Sequence, residues 1–376
     1  VAQSGGEGGA GWTVGVEEEF LLVDPDTRCG VPLAAAVLER AGGLPAPAGD
    51  AAVHLELLAS QVESATGVCT RLDELARQLT AGRRRLAEAA RAEGARLVSS
   101  GTPVLHGPVE VAPGGRFRRI ADAYAGVMSD YQSCGCHVHV GVPDRDTAVA
   151  VVNHLRPWLP TLLALSVNSP YDRGRESGCA SWRAVEQSRF PGGGVPPWFP
   201  SAAAYDAALD RLVECGVLMD RAMTFWLARP SSHLPTVEIR AADAAIGVPE
   251  AVLQAALSRA LVRTALAELA VGREAPPPGG ADGQLSAAAL WAAARHGLSG
   301  PGVDPLLARQ VPAPRLVERL LDLVAPELEE TGDLAAARAA AARLLRVGTG
   351  AVRQCRAGGA GPAAVVDMLI EETSGS

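Results

Sequence analysis

Two histidines one residue apart, His137 and His139, sit in the stretch Cys134-Gly135-Cys136-His137-Val138-His139-Val140-Gly141. Read as a strand, this stretch turns both imidazoles to one face and Cys136, Val138 and Val140 to the other. Imidazoles on an otherwise apolar strand need hydrogen-bond partners or a metal, because burying an unpaired polar group is costly. The stretch alone allows either a hydrogen-bonded core pair or a ligand pair. Two more stretches share the pattern. TVGVEEEFLLV (13–23) places Glu17 and Glu19 on one face of a strand and Glu18 on the other, beside Val16 and Phe20. TVEIR (236–240) places Glu238 and Arg240 on one face. Three such strands, far apart in the chain, imply one cavity lined by carboxylates and imidazole. Clustered carboxylates repel one another unless cations sit between them. Oxygen-rich sites with one or two histidines suit Mg²⁺ or Mn²⁺.

A fourth acidic pair, Glu56 and Glu63, lies in HLELLASQVE (54–63). A straight strand would separate these two across its faces. A bend near Ala59 and Ser60, or a helical turn, would bring them together. Arg116, Arg118 and Arg119 open a helix expected over 117–131. They read equally as phosphate contacts beside an acidic cavity or as a solvated face.

The elements that must position these residues are mixed in type. Strands are expected at 13–23, 96–100, 134–141 and 236–240. A short helical piece is expected near 34–40. A helix follows Thr70 and Asp73, which read as its cap, and runs to about Glu93. Its Arg83, Arg84 and Arg85 read as a solvated face. A further helix over 147–167 should be kinked by Pro157 and Pro160. Residues 171–200 show no clear period. A structureless loop that long is usually functional, so this segment, with Arg173, Arg175, Ser181, Arg183 and Arg189, is the expected substrate-binding loop. Helices are expected over 202–219, 249–271, 286–297, 314–324, 327–346 and 362–373. Strands thus fall mostly before residue 240 and helices after about 249. That segregation predicts an α+β fold with an antiparallel sheet rather than a doubly wound one.

Composition narrows the class. The chain has 376 residues and a net charge of −8, carried without long runs of one sign, so nothing suggests a nucleic-acid surface. The seven cysteines are irregularly spaced, and Cys134 and Cys136 form C-x-C rather than a redox or zinc C-x-x-C. Reduced thiols, no membrane span and a cytoplasmic location are expected. Residues 1–11 are Gly-rich, lack a signal-peptide pattern and read as a flexible tail ahead of a single domain over 12–376. There is no G-x-x-x-x-G-K-[ST] loop, no G-x-G-x-x-G after a strand, no G-x-S-x-G and no H-E-x-x-H. A zinc site would need more N or S ligands than the remaining histidines supply in polar strands.

Taken together, GVEEEF (15–20), HLELLASQVE (54–63), CGCHVHVG (134–141), NSPYDRGRESGCASWR (168–183), RFPGGGVPPWF (189–199), RPSSHLPTVEIRAAD (229–243) and LLRVGTGAVRQCRAG (344–358) with VVDMLIEET (365–373) resemble the glutamate–cysteine ligase type 2, or carboxylate–amine ligase, family. The resemblance runs in order through nearly the whole chain. It implies an antiparallel sheet curved into a funnel and backed by helices, related to the catalytic domain of glutamine synthetase. It implies ATP and Mg²⁺ as well. The implied reaction phosphorylates a carboxylate, of glutamate or an analogue, and joins it to an amine with release of ADP and phosphate. By resemblance, Glu17, Glu19, Glu56, Glu63, His137 and Glu238 are metal ligands. Arg240 touches the transferred phosphate, and His139 lies near the acyl-forming carboxylate. Arg183 and Arg229 contact substrate or nucleotide, with a buried salt bridge as the alternative for Arg229. The implied partners are small carboxylates and amines, and a homodimer is left open. Trp182, the shortened Gly101-Thr102-Pro103 and the 174–177 segment depart from the family pattern in expected substrate-facing loops. Two other classes compete: a metal-dependent hydrolase using the H-x-H pair, and a non-catalytic binding protein on the same scaffold.

Overall fold

The structure, a computed structural model, describes residues 9–44, 51–277, 279 and 282–375. Most of the expected tail (1–8) and parts of two Pro/Gly-rich segments lie outside the described residues. Gly11, within the expected tail, is already tied down, its N–H donating to the Gly141 carbonyl at 2.8 Å.

The strands of the main sheet are β1 (Val14–Val23), β2 (Ala52–Leu55), β3 (Gln61–Ala65), β4 (Arg96–Val98), β5 (Gly135–Gly141), β6 (Ala228–Pro230) and β7 (Thr236–Asp243). Their order is β6-β7-β5-β1-β3-β2, with β4 also paired to β1, and every pairing is antiparallel. Helices α1 (Ala34–Gly42), α2 (Leu72–Ala92), α3 (Gly115–Tyr124), α4 (Arg145–Leu155), α5 (Leu159–Ser166), α6 (Trp182–Gln187) and α7 (Ala202–Glu214) interleave with the strands. After β7 come α8 (Val248–Ala270), α9 (Asp282–His296), a small hairpin of β8 (Pro301–Asp304) and β9 (Arg309–Pro312), then α10 (Ala313–Glu330), α11 (Leu334–Val347), α12 (Gly350–Ala357) and α13 (Pro362–Ser374).

Alternation decides which face of the sheet is dry. Val14 and Val16 on β1, Cys136, Val138 and Val140 on β5, and Val237 and Ile239 on β7 join one core with α2, α4, α5 and α8. Helix α8 is buried on nearly all sides, its buried Arg259 and Arg263 paired with Asp333 and Glu327, and α10 and α11 pack outside it. The opposite face keeps Glu17, Glu19, His137, His139 and Glu238, while at its far end Leu21 and Val23 join a second core with Val365, Val366 and Leu369 of α13. The α+β expectation and the antiparallel sheet therefore hold.

Several local expectations do not. The cap of α2 is Arg71, with no side-chain cap bond, so Thr70 does not play that part. Arg83 is not solvated. It is 1% exposed and forms a two-pronged ion pair with Glu18, Nη2 to Oε1 at 2.6 Å and Nε to Oε2 at 3.0 Å. A carboxylate forced by strand alternation into the apolar layer needs such a partner. The helix expected over 117–131 ends at Tyr124, followed by one 3₁₀ turn. The segment 171–200 is not structureless: it folds into two-residue ladders and α6, with Ser181 capping α6 by accepting from the Ala184 N–H. The helix expected over 147–167 is broken at 156–158, where Pro157 falls, and Pro160 sits in the first turn of α5. In the last third, α12 and the β8–β9 hairpin were not anticipated.

Candidate active site

The register of the sheet assembles the acidic groups. On the charged face Glu17 stands opposite His137, Glu238 opposite His139, and Glu19 opposite Glu63. The turn between β2 and β3 supplies Glu56. This is the bend that Ala59 and Ser60 suggested, and it returns the chain as a hairpin with His54 opposite Glu63. The six expected ligands fall into two adjacent groups. Ligand atoms of Glu17, His137 and Glu238 lie within 4.8 Å of one another, and so do those of Glu19, Glu56 and Glu63. His137 links the groups, with Nδ1 3.4 Å from Glu17 and Nε2 3.7 Å from Glu19.

Charge is unevenly balanced between the two groups. Burial raises Glu19 above the usual carboxylate range, and Arg183 and Arg240 only partly oppose it. Burial also raises Glu63 and pushes Glu56 up to about 7, with neighbouring carboxylates adding to both. Three oxygen donors that resist ionising together are the donor set that a hard divalent cation would relieve. Glu17 and Glu238 behave oppositely. Burial opposes their charge, but His137 and His139 outweigh it for Glu17, and Arg240 and Arg229 outweigh it for Glu238. Burial, helped by Arg240, pushes His137 down to about 4, leaving a neutral imidazole with a lone pair to offer. Glu17 outweighs burial at His139 and raises it. His139 Nδ1 shares a 2.9 Å hydrogen bond with Thr236 Oγ1, and its Nε2 lies 3.3 Å from Glu17, within Coulombic reach but not aligned for a hydrogen bond.

The arginines divide by role. Arg229 grips Glu238 with Nε at 2.7 Å and Nη2 at 3.2 Å, and donates to the Ala222 carbonyl at 2.8 Å. The salt bridge is therefore real, and Arg229 also borders the cavity. Arg240 donates to Glu238 from its own strand and comes within 3.4 Å of His137 Nδ1. Arg183, from the first turn of α6, is 2% exposed, and neither its Nε nor its Nη1 has a hydrogen-bond partner. Of the other loop arginines, Arg173 and Arg189 pair with Asp130 at the surface, and Arg175 is exposed.

Part of this set borders a cavity of about 290 Å³, with Glu17, Glu63, Glu238 and His139 outside its lining. Its floor holds Glu19, Glu56, His137, Arg183, Arg229 and Arg240, and its opposite wall is apolar, with Phe117, Ile120, Met128, Tyr131, Met223 and Phe225. Phe190 stacks on Phe225 and meets Tyr131 edge-on, which stiffens that wall. Arg116 also reaches the rim, while holding Asp220 at 3.1 Å. The sequence reading missed the apolar wall. Its residues lie in a helix and loops whose apolar positions read equally well as ordinary core.

The comparisons with known proteins give the family and the fold. The family model for glutamate–cysteine ligase family 2 matches residues 13–365. A Saccharopolyspora erythraea protein whose name is given provisionally as glutamate–cysteine ligase 2-2 is 59% identical over 97% of this chain and 93% of its own. A Salinispora arenicola protein, provisionally glutamate–cysteine ligase 2, is 46% identical over 92% of this chain and 90% of its own. Among solved structures, the glutamate–cysteine ligase of Francisella tularensis in complex with AMP superposes with a TM-score of 0.70 at 13% identity, covering 96% of this chain and 88% of that one. The ligase PafA in complex with the ubiquitin-like protein Pup gives a TM-score of 0.55 at 14% identity, covering 92% and 67%. These two establish likeness of fold. Among the described residues no helix is long and apolar enough to cross a membrane. On the match over residues 13–365 and the close relatives, this chain belongs to the glutamate–cysteine ligase family 2 and is a C–N bond-forming ligase.

Proposed function

We propose that this enzyme uses ATP to phosphorylate the side-chain carboxylate of glutamate, or of a close analogue, and couples it to a small amine. The observation that carries this reading is the pairing of two acidic clusters with three buried or half-buried arginines around one cavity. In the first step the bond from the γ-phosphorus to ADP breaks as a carboxylate oxygen bonds to that phosphorus. In the second the amine nitrogen bonds to the carboxyl carbon, phosphate leaves with the former carboxylate oxygen, and the nitrogen gives up a proton.

The donor sets suit Mg²⁺ or Mn²⁺, with Glu19, Glu56 and Glu63 holding one ion and Glu17, His137 and Glu238 another. Bound there, such ions would neutralise phosphate oxygens and stabilise charge in the transfer. Arg240 is the donor to the phosphoryl group, its planar guanidinium offering two N–H bonds at once. Arg229 fixes the Glu238 carboxylate from the outer side. His139 borders the carboxylate that is activated, and Arg183 offers free N–H groups to an anionic oxygen. Water must be kept from the activated acyl group, and the apolar wall serves that end.

The test is ADP release from Mg²⁺-ATP with glutamate and related acids against a panel of amines, with products read by mass spectrometry. ADP release that needs both an acid and an amine, with a matching amide mass, is expected. Hydrolysis of an amide or ester without nucleotide, and no ADP from any pair, would sink this reading.

A further inference from the structure

Asp243 lies on β7 five positions beyond Glu238, and an unbroken strand would turn it to the opposite face. It does not go there. The pairing of β7 with β5 slips between Ile239 and Ala242, so Ala242 faces Cys136 in the core and Asp243 stands opposite Gly135. Gly135 shares its face with His137 and His139. One extra residue in β7 thus delivers a carboxylate to the ligand side, a recognised use of β-bulges beside active sites.

There Asp243 is fully buried and organises two segments. Its Oδ2 accepts from the Asn168 N–H and the Ser169 hydroxyl, each at 2.8 Å, and its Oδ1 accepts from the Ser181 hydroxyl at 2.8 Å. Ser181 caps α6, and Ser169 Oγ accepts from the Arg183 N–H at 3.2 Å. The Asp243 carboxylate therefore fixes the start of the helix that carries Arg183. It also faces the guanidinium itself, Oδ1 lying 3.7 Å from Nη1. Space has been cleared for this arrangement. A Cβ on Gly135 would stand 2.6 Å from Arg183 Nη2, and one on Gly101 would stand 2.8 Å from Asp243 Cγ.

The guanidinium is held but not satisfied. Nη2 donates to the Arg240 carbonyl at 3.4 Å, while Nε and Nη1 lack hydrogen-bond partners although the side chain is buried and borders the cavity. Unpaired buried donors are costly and rare unless something else completes them. We propose that Asp243 is a positioning residue for ligation. It holds Arg183 so that the guanidinium, where it borders the cavity, meets a carboxylate or phosphoryl oxygen there. The identity of that oxygen rests on the ligase reading above; the positioning does not.

Two measurements test this. In protein labelled with ¹⁵N-arginine, the Arg183 Nε–H signal, assigned by its loss in Arg183→Lys, should exchange slowly with water. In Asp243→Asn it should exchange at least about tenfold faster, as expected when a local constraint on a buried group is lost. An unchanged signal overturns the proposal whatever the substrates are. With a productive acid and amine pair, Asp243→Asn should lower kcat by about 10- to 100-fold, the scale of a misplaced reacting group, and leave the KM for ATP within a few-fold. The double variant Asp243→Asn/Arg183→Lys should be no worse than Arg183→Lys alone, because groups that act through one another are not additive. Multiplied losses overturn the proposal. If Asp243→Asn does not fold, Ser181→Ala, which removes one of the three donors, should move both readouts in the same direction by less. If no pair yields ADP, the ligase reading fails while the exchange measurement still decides the placement.

Discussion

Removing the Arg83 guanidinium should destabilise the fold by about 3–5 kcal/mol, the usual cost of leaving one partner of a buried ion pair alone. Both partners are nearly inaccessible, with side chains 1% and 2% exposed. Arg83 also donates to the carbonyls of Ala245 at 2.7 Å and Ile246 at 3.3 Å. Arg83→Met keeps much of the volume and strips all four bonds. In a chain of this size that loss corresponds to a fall of about 4–6 °C in melting temperature. The paired change Glu18→Leu/Arg83→Met removes the stranded carboxylate too. It leaves only the Ile246 carbonyl without its donor, a cost of about 1–3 kcal/mol, since the Ala245 carbonyl keeps the Ser99 hydroxyl at 2.6 Å, so the double variant should be more stable than Arg83→Met. Calorimetric or denaturant melts of the metal-free protein measure both. A loss below about 1 kcal/mol for Arg83→Met, small against the cost expected of a broken buried pair, would refute the argument. So would a double variant worse than the single. The consequence reaches the site, because Glu18 sits between Glu17 and Glu19, and anchoring it to α2 keeps β1 turned with its two neighbours toward the cavity.

Arg240→Lys should fold normally and bind Mg²⁺-ATP nearly as tightly, yet lose on the order of a hundredfold or more in turnover, the loss of one strong transition-state donor. Turnover near wild type would reduce Arg240 to a charge balancer. Mn²⁺ titration followed by electron paramagnetic resonance should show tight binding that Glu56→Gln and Glu63→Gln each weaken at least about tenfold; binding unaffected by both would remove that cluster as a metal site. Glu186 is 1% exposed, and burial pushes it up to about 7, so the folded state holds its proton above the pH at which the unfolded chain releases it. Its contribution is present below about 4.5 and is lost as pH rises to about 7, up to ~3 kcal/mol in all. Glu186→Gln should flatten that slope in melts across the window, and parallel slopes in the two proteins would contradict it.

The sequence by itself determined residue type and face. Alternation in 13–23, 134–141 and 236–240 separated Val14, Val138 and Ile239 from Glu17, His137 and Glu238, because a strand has a period of two and a buried face must be apolar. It also signalled the helical final third. It left undecided which residues meet, because pairing partners are set by strand register, which depends on contacts between segments distant in the chain. Register made Glu17 the neighbour of His137 and put Glu63 beside Glu19. A hairpin turn, unreadable as to its geometry, brought in Glu56. Arg83 read as solvated because it lies in a run of three arginines. Only the approach of β1 to α2 revealed a buried carboxylate waiting for it. Asp243 was hidden for the plainest reason. Parity along an unbroken strand would put it on the core face, and a single extra residue, stabilised by tertiary hydrogen bonds to Asn168, Ser169 and Ser181, turns it to the other.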